Sequence, residues 1–288
     1  MKLNFLSRIT SSLTSLVLAN CLLLGAAARA NISISPLVVE TQVNRGQATG
    51  SITVSNLTSE EFRARVYSAP FTYNAEEGFQ ILDSSPQDLS PYLQFSPREL
   101  QIPGTEQRRI RFIARFPPSL PDGEYRAILF TENLKATIQE ETDSTGDIVF
   151  RTTIVPRIGV AVYVRKGNIS HELTLDSARY NPESKTLDLL AINTGKASVI
   201  LQPEWTLKKE GREINRGRNE SITVIAEGSR YIPIDYSTDR EQTLEPGDYE
   251  LSGQLGWGVN FSNKIDFSVN FTVPATAESR IFPLPSDL

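Results

Sequence analysis

Apolar and polar residues alternate along most of the chain from Asn31 onward. Short β-branched clusters accompany this alternation, and Gly, Pro, Asn, Asp or Ser interrupts the pattern about every ten residues. A period of two places successive side chains on opposite faces of a strand. Because no segment shows a 3.6-residue period over a useful length, the pattern predicts an all-β protein built from antiparallel sandwiches.

Two series of strands are predicted, and a polar hinge, Lys166-Gly167-Asn168, separates them. The first series comprises residues 32–43, 51–55, 62–69, 79–82, 93–95, 108–114, 125–133 and 148–165, and the second comprises residues 172–178, 186–193, 198–207, 220–225, 230–235, 248–255 and 264–273. The sequence therefore predicts two immunoglobulin-like β-sandwich domains in tandem, at residues 31–167 and 168–274. Residues 275–288 are predicted to form an extended or disordered tail.

An internal repeat supports the division into two domains. The segment LPDGEY, which ends at Tyr125, is echoed 124 residues later by LEPGDY, which ends at Tyr249. Both segments predict a tyrosine corner, in which the Tyr hydroxyl donates to the backbone a few residues upstream and ties the sheets together. We therefore interpret Tyr125 and Tyr249 as structural residues. A weaker echo relates Asn56 and Asn193, each of which ends a predicted strand before a polar turn.

The first thirty residues have the features of a secretory signal peptide. Lys2 and Arg8 supply the positive charge, residues 9–27 form an uncharged and largely apolar segment, and an Ala-Arg-Ala cleavage site ends at Ala30. We predict that the chain is exported and cleaved after Ala30. No later segment approaches the roughly 18 consecutive apolar residues of a membrane span, so we do not expect the mature chain to span a membrane.

Cleavage changes the composition in ways that bear on function. The remaining 258 residues contain no Cys and no Met, so disulfides cannot contribute to stability. A lipoprotein would use Cys21, but Asn20 stands where a small residue is expected. The net charge changes from −5 to −8, because three basic residues are lost. This acidic balance argues against a nucleic-acid partner.

The sequence offers little material for catalysis. His171 is the only histidine and lies in a polar segment, where we expect a solvated linker residue. Acidic pairs such as Glu60-Glu61, Glu76-Glu77 and Glu140-Glu141 fall in predicted loops without the spacing of a calcium site. We therefore predict a protein that is not an enzyme and has no cofactor, no metal and no small-molecule substrate.

The strand that ends the first predicted domain carries an unbroken β-branched stripe. Ile158, Val160, Val162 and Val164 share one face, and Arg157 belongs to the opposite face. At a sheet edge, such a strand offers unpaired backbone groups that can recruit a strand from a partner. The same pattern is equally typical of an ordinary core strand.

Between residues 95 and 125 the chain resembles the PapD-like periplasmic chaperones, which assist pilus assembly in Gram-negative bacteria. The resemblance is carried in order by FSP at 95–97, LQIPG at 100–104, QRRIRF at 107–112 and LPDGEY at 120–125. These segments are similar to the family's Pro, its Leu before Pro-Gly, its Gln-x-x-Arg strand and its Leu-Pro-acidic turn. The resemblance covers about residues 31–166 and extends to the second domain in architecture only.

The resemblance implies donor-strand complementation, in which an edge strand of the chaperone inserts apolar side chains into an incomplete subunit. It implies a periplasmic protein whose partners are secreted, pilin-like subunits and an outer-membrane usher. The client-binding residues in the matching strand are then Thr152, Ile154, Ile158, Val160, Val162 and Val164. A structural or adhesive component of a cell-surface assembly, without chaperone turnover, is the alternative.

The chain departs from the family at the basic pair that clamps the client's terminal carboxylate. Residues 32–43 contain no basic residue, and Ala161 occupies the aligned position in the last strand of the first domain. Arg157, four residues earlier, is the candidate substitute. Pro156 is also expected to remove a backbone donor from the pairing strand.

Overall fold

The computed structural model describes residues 31–142, 149–237 and 243–274. The predicted signal peptide and tail lie outside these residues. Within them, the chain consists of strands and turns with two short 3₁₀ turns, Ser90–Tyr92 and Val259–Phe261, which confirms the predicted all-β fold of tandem immunoglobulin-like sandwiches. No helix in the described part of the chain is long and apolar enough to cross a membrane.

The first half of the chain forms a sandwich of two main sheets. Its strands are β1 (Ile32–Ser35), β2 (Val38–Gln42), β3 (Gln47–Asn56), β4 (Phe62–Ala69), β5 (Phe71–Asn74), β6 (Gly78–Ile81), β7 (Leu93–Ser96), β8 (Glu99–Ile102), β9 (Gln107–Arg115), β10 (Gly123–Asn133), β11 (Thr137–Thr142), β12 (Val149–Ile154) and β13 (Arg157–Lys166). One sheet has the order β1-β3-β9-β7 and the other the order β2-β13-β10-β4-β8. Inward-facing residues of both sheets, among them Ile52, Ile110 and Leu129, form one core.

The second half forms a separate sandwich with its own core. Its strands are β14 (Leu173–Asn181), β15 (Thr186–Asn193), β16 (Val199–Lys209), β17 (Arg212–Arg218), β18 (Ile222–Val224), β19 (Gly228–Ile234), β20 (Gly247–Trp257) and β21 (Asn263–Val273). One sheet has the order β14-β15-β19 and the other β17-β16-β20-β21, with β18 beside β16. Leu189, Trp205 and Leu251 lie at the centre of this second core.

Two predicted strands are each divided at a proline. Pro36 separates β1 from β2, and the two pieces join opposite sheets of the first sandwich. Pro156 separates β13 from β12, which pairs with β11 in a two-stranded extension of the same hairpin. Proline cannot donate to a ladder, so a strand that reads as continuous in the apolar pattern breaks there. Strand β17 was not predicted, because all seven of its residues are exposed and show no alternation.

Both repeated motifs have structural roles. The Tyr125 hydroxyl donates to the Pro121 carbonyl at 3.0 Å, and the Tyr249 hydroxyl donates to the Glu245 carbonyl at 2.8 Å. Each hydroxyl therefore reaches four residues upstream, which is the geometry of a tyrosine corner.

Asn56 and Asn193 are buried equivalents of each other in the two sandwiches. The Asn193 amide nitrogen donates to three backbone carbonyls, and its carbonyl accepts the N–H groups of Glu172 and Gly195. The Asn56 amide likewise donates to three backbone carbonyls and accepts the N–H of Thr58. Each side chain satisfies the backbone of a turn that lacks ladder partners.

Candidate strand-binding edge

The candidate site lies on a long hairpin of the first sandwich. Strands β10 and β13 pair from Gly123 opposite Lys166 to Glu132 opposite Arg157. The Asn133 N–H then donates to the Pro156 carbonyl at 3.0 Å, and β11 and β12 continue the two arms of the hairpin. The hairpin therefore extends beyond the sheet from which it arises.

One flank of the β12–β13 arm is open over part of its length. On the side away from β10, β2 pairs in parallel with residues 161–165 of β13. Before Ala161, no described strand pairs on this side, and β12 has only β11 as a partner. The open segment is thus β12 together with β13 up to Val160, and we name it the open edge.

The backbone groups of the open edge point in directions that two hydrogen bonds determine. The Ala161 N–H donates to the Leu37 carbonyl at 3.0 Å and so points away from β10, whereas the Pro156 carbonyl points toward β10. Because residues of an antiparallel strand alternate in this respect, the N–H and C=O groups of Arg157 and Gly159 point to the open side. The prediction that Pro156 removes a backbone donor needed for pairing with a partner is therefore wrong, because the Pro156 nitrogen points toward β10 and not toward the open side.

The structure divides the predicted client-binding residues into two groups. Val160, Val162 and Val164 have exposed fractions of 1%, 0% and 0% and belong to the core of the first sandwich. These three cannot insert into a partner, because their apolar face is the one that the sandwich itself buries. Ile158 is half-buried on the same face.

Two predicted residues and one that sequence reasoning missed are accessible on the open edge. Thr152 is exposed, and Ile154 has an exposed fraction of 39%. Val155, at 46%, lies beside them in the break between β12 and β13. Exposed apolar residues beside an open strand edge are candidates for contact with a partner.

Arg157 lies at the boundary between the open edge and the outer face of the sheet. Its guanidinium group lies 4.7 Å from the centroid of the Phe130 ring and donates to the Tyr67 hydroxyl at 3.3 Å. The Tyr67 hydroxyl in turn donates to Glu132 at 2.7 Å, and this hydrogen bond lowers the pKa of the Glu132 carboxyl. Arg157 is exposed, so its role as a carboxylate anchor stays a prediction.

The seam between the two sandwiches uses a buried carboxylate that the sequence did not reveal. The Glu124 carboxylate accepts the Ser198 N–H at 2.9 Å, the Ser198 hydroxyl and the Arg165 Nε–H at 3.0 Å. Arg165 also donates to Glu40 and to the Ser198 carbonyl. Burial disfavours the charge of Arg165, but the Glu40 and Glu124 carboxylates raise its pKa above the ordinary value. Arg165 therefore holds the two sandwiches together, and its contacts at the seam leave it unsuited to bind a client.

His171 differs from the expectation of a solvated linker residue. Its ring packs edge-on against Trp257 with the centroids 5.5 Å apart, and burial followed by the charge of Arg165 lowers its pKa. Within residues 31–142, 149–237 and 243–274, no group of three or more His, Cys, Asp and Glu residues could hold a metal ion.

Comparison with known proteins gave matches among solved structures only. No family model and no curated protein matches the chain. It is similar to the CfaA chaperone of class 5 fimbriae, with 13% identity, a TM-score of 0.45 and coverage of 83% of this chain and 99% of that one. It is also similar to a chain in the Salmonella enterica complex of SafA pilin with the SafB chaperone, with 13% identity, a TM-score of 0.40 and coverage of 84% and 96%.

A third similar structure is a chain of the Acinetobacter baumannii CsuC–CsuE complex of a chaperone with a tip adhesion subunit. Its identity is 13%, its TM-score is 0.41, and the match covers 72% of this chain and 91% of that one. All three structures contain a chaperone of pili or fimbriae, the class of protein that the sequence motifs resemble. At these TM-scores the likeness assigns no function to the present chain.

Proposed function

We propose that this protein is a periplasmic, chaperone-like protein that binds secreted, β-rich, pilin-like subunits by strand addition at the open edge. The observation that carries the proposal is the flank of β12 and β13 up to Val160 that no strand in the described part of the chain pairs, beside the exposed Ile154 and Val155. An unpaired edge of this kind is ordinarily shielded in a monomeric protein. Here it combines free backbone groups with exposed apolar side chains, which are the two requirements for binding an extended segment.

The predicted export of the chain and the exposed charge of Arg157 both agree with a secreted, pilin-like partner. The predicted signal peptide would deliver the chain to a compartment in which secreted subunits fold, and an outer-membrane usher would then be a further partner. Arg157 supplies an exposed cation on the open edge, which suits a carboxylate on the bound segment. The proposed function involves no catalysis, cofactor or metal.

Amide hydrogen exchange, read residue by residue by NMR, tests the proposal with a panel of alternating apolar and polar 11-residue peptides as the probe. The N–H groups of Ile158 and Val160 point toward β10 and should be protected in the free protein. The N–H groups of Arg157 and Gly159 should become protected only when a peptide binds. Binding without new protection at these two amides, or no binding by any peptide, would contradict the proposal.

Two substitutions of Arg157 distinguish the contribution of its backbone N–H to peptide binding from that of its side chain. Arg157→Pro removes an outward N–H and leaves the ladder to β10 intact, so peptide affinity should fall about tenfold or more. Arg157→Ala keeps that N–H, so it should retain most of the affinity for an uncharged, amidated peptide. Equal losses in both variants would show that the guanidinium group, rather than strand pairing, dominates binding.

The adhesive alternative makes a different prediction about turnover. A chaperone releases its subunit when a competing strand is added, whereas a structural component remains in a stable assembly. Native mass measurement before and after addition of an excess of competing strand peptide distinguishes the two functions.

A further inference from the structure

Gly159 leaves a gap in the outer face of the sheet, and a neighbouring ring fills it. A Cβ atom at this position would lie 3.0 Å from Cε1 of Phe130 and 3.4 Å from Cγ2 of Ile128. The absence of a side chain therefore lets the Phe130 ring pack over Gly159, and only 5% of Phe130 stays exposed. We name the surface formed by Gly159, Phe130 and Arg157 the glycine niche.

Arg157 forms the second wall of the glycine niche. Its guanidinium carbon lies over the Phe130 ring, 4.7 Å from the centroid, and Arg157 is exposed. A guanidinium plane has two faces, and each can pack on an aromatic ring. The niche thus offers an exposed planar cation and the backbone surface of Gly159, at an edge that no described strand pairs.

The protein's own β2 shows what occupies the adjacent position on this edge. Val38 pairs with Ala161, two residues beyond Gly159, and packs against the aromatic cluster of the outer face that contains Phe130 and Tyr163. Directly paired residues project on the same face and lie about 5 Å apart. A strand bound along the open edge would therefore extend this apolar row by placing one side chain opposite Gly159.

From this geometry we propose that the glycine niche is a specificity site, which selects a large apolar and preferably aromatic side chain at the position of the bound strand opposite Gly159. The inference rests on the proposed strand addition and adds the chemistry by which one client segment is distinguished from another. An aromatic ring at that position packs over the backbone of Gly159 and against the guanidinium group of Arg157, next to the Phe130 ring. Such glycine–aromatic pairing across neighbouring strands is a recognised way to stabilise a sheet at a glycine.

A guest-position peptide series tests the proposal. An 11-residue, dye-labelled peptide that binds the open edge is varied at each alternate position between Ala, Leu, Phe and Lys, and affinity is measured by fluorescence anisotropy. One position should favour Phe over Ala by about three- to tenfold. Gly159→Ala and Phe130→Leu should each reduce this ratio of Phe-peptide to Ala-peptide affinity to less than about twofold.

Gly123→Ala is the matched control for the added methyl group. It lies on the same hairpin, opposite Lys166, and no heavy atom lies within 4 Å of the Cβ that it would gain. This variant should keep the full preference for Phe. A Phe preference that survives both Gly159→Ala and Phe130→Leu, or no position-specific preference at all, would overturn the niche while leaving strand addition intact. If no peptide binds the wild-type protein, the proposed function fails, and the niche fails with it.

Discussion

Truncation of Glu124 to alanine measures how strongly the two sandwiches are joined. The carboxylate is fully buried and accepts three donors, two from Ser198 and one from Arg165. Ser198 belongs to the second sandwich and is itself 2% exposed. The substitution therefore leaves buried donors on both sides of the seam without their acceptor.

The expected cost follows from the burial of each group. Removing one partner of a buried ion pair costs about 3–5 kcal/mol. The Arg165 side chain is 25% exposed and keeps Glu40 as a partner, so water and Glu40 recover part of the loss. We therefore expect the lower end of this range, about 3 kcal/mol of the free energy of unfolding.

The positions of the two tryptophans allow unfolding of the second sandwich to be followed separately. Trp205 and Trp257 are the only two tryptophans, and both lie in the second sandwich. Fluorescence during urea unfolding therefore reports the second sandwich, and far-UV circular dichroism reports both. In the Glu124→Ala variant, the two signals should separate into distinct transitions because the sandwiches no longer stabilise each other.

Glu132→Ala provides the control, since Glu132 lies on the same strand and the same face. Its carboxylate pairs with Arg65, whose side chain is 58% exposed, and accepts the Tyr67 hydroxyl, so its removal should cost clearly less than the removal of Glu124. If Glu124→Ala costs as little as Glu132→Ala, the buried network at the seam does not contribute as its geometry implies.

Three further outcomes are expected. Tyr249→Phe removes the corner hydrogen bond and should cost about 1 kcal/mol, with the loss visible in tryptophan fluorescence during urea unfolding. Asn193→Ala leaves several buried turn groups unpaired and should cost about 2–3 kcal/mol in the same assay. Burial and then Arg165 lower the pKa of His171 below 6.5, so the unfolded chain takes up this proton first and stability should fall as pH drops through about 6.5. His171→Gln should lack that part of the pH dependence in urea titrations at several pH values, and an unchanged profile would exclude this role for His171.

The sequence predicted local features well because they depend on local chemistry. Strand β15 was predicted at its observed bounds, Thr186–Asn193, since a short apolar run there is bounded by polar residues at both ends. The turns that lead to Tyr125 and Tyr249 were recognisable because a Gly-containing turn followed by Tyr is a contiguous signal.

Pairings between distant segments were not predictable in the same way. The stripe from Ile158 to Val164 fitted a client-binding face and a core face equally well, because alternation does not say which face is buried. Which face is buried depends on the opposing sheet, whose Ile52 and Ile110 are distant in sequence and share one core with Val160. The extent of the open edge depends on β2, about 120 residues earlier, which pairs with only the second half of β13. Glu124 and Ser198 were missed for the same reason, since a buried carboxylate and its donor from another sandwich leave no pattern in a single segment.

The partial cover of β13 by β2 sets a definite end point for any strand that is added. Leu37 already occupies the hydrogen-bonding position at Ala161, so an incoming chain must stop there and cannot run on along the sheet. The fixed end point sets the register of the added strand, because a slip of one residue would turn every side chain of that strand to the wrong face.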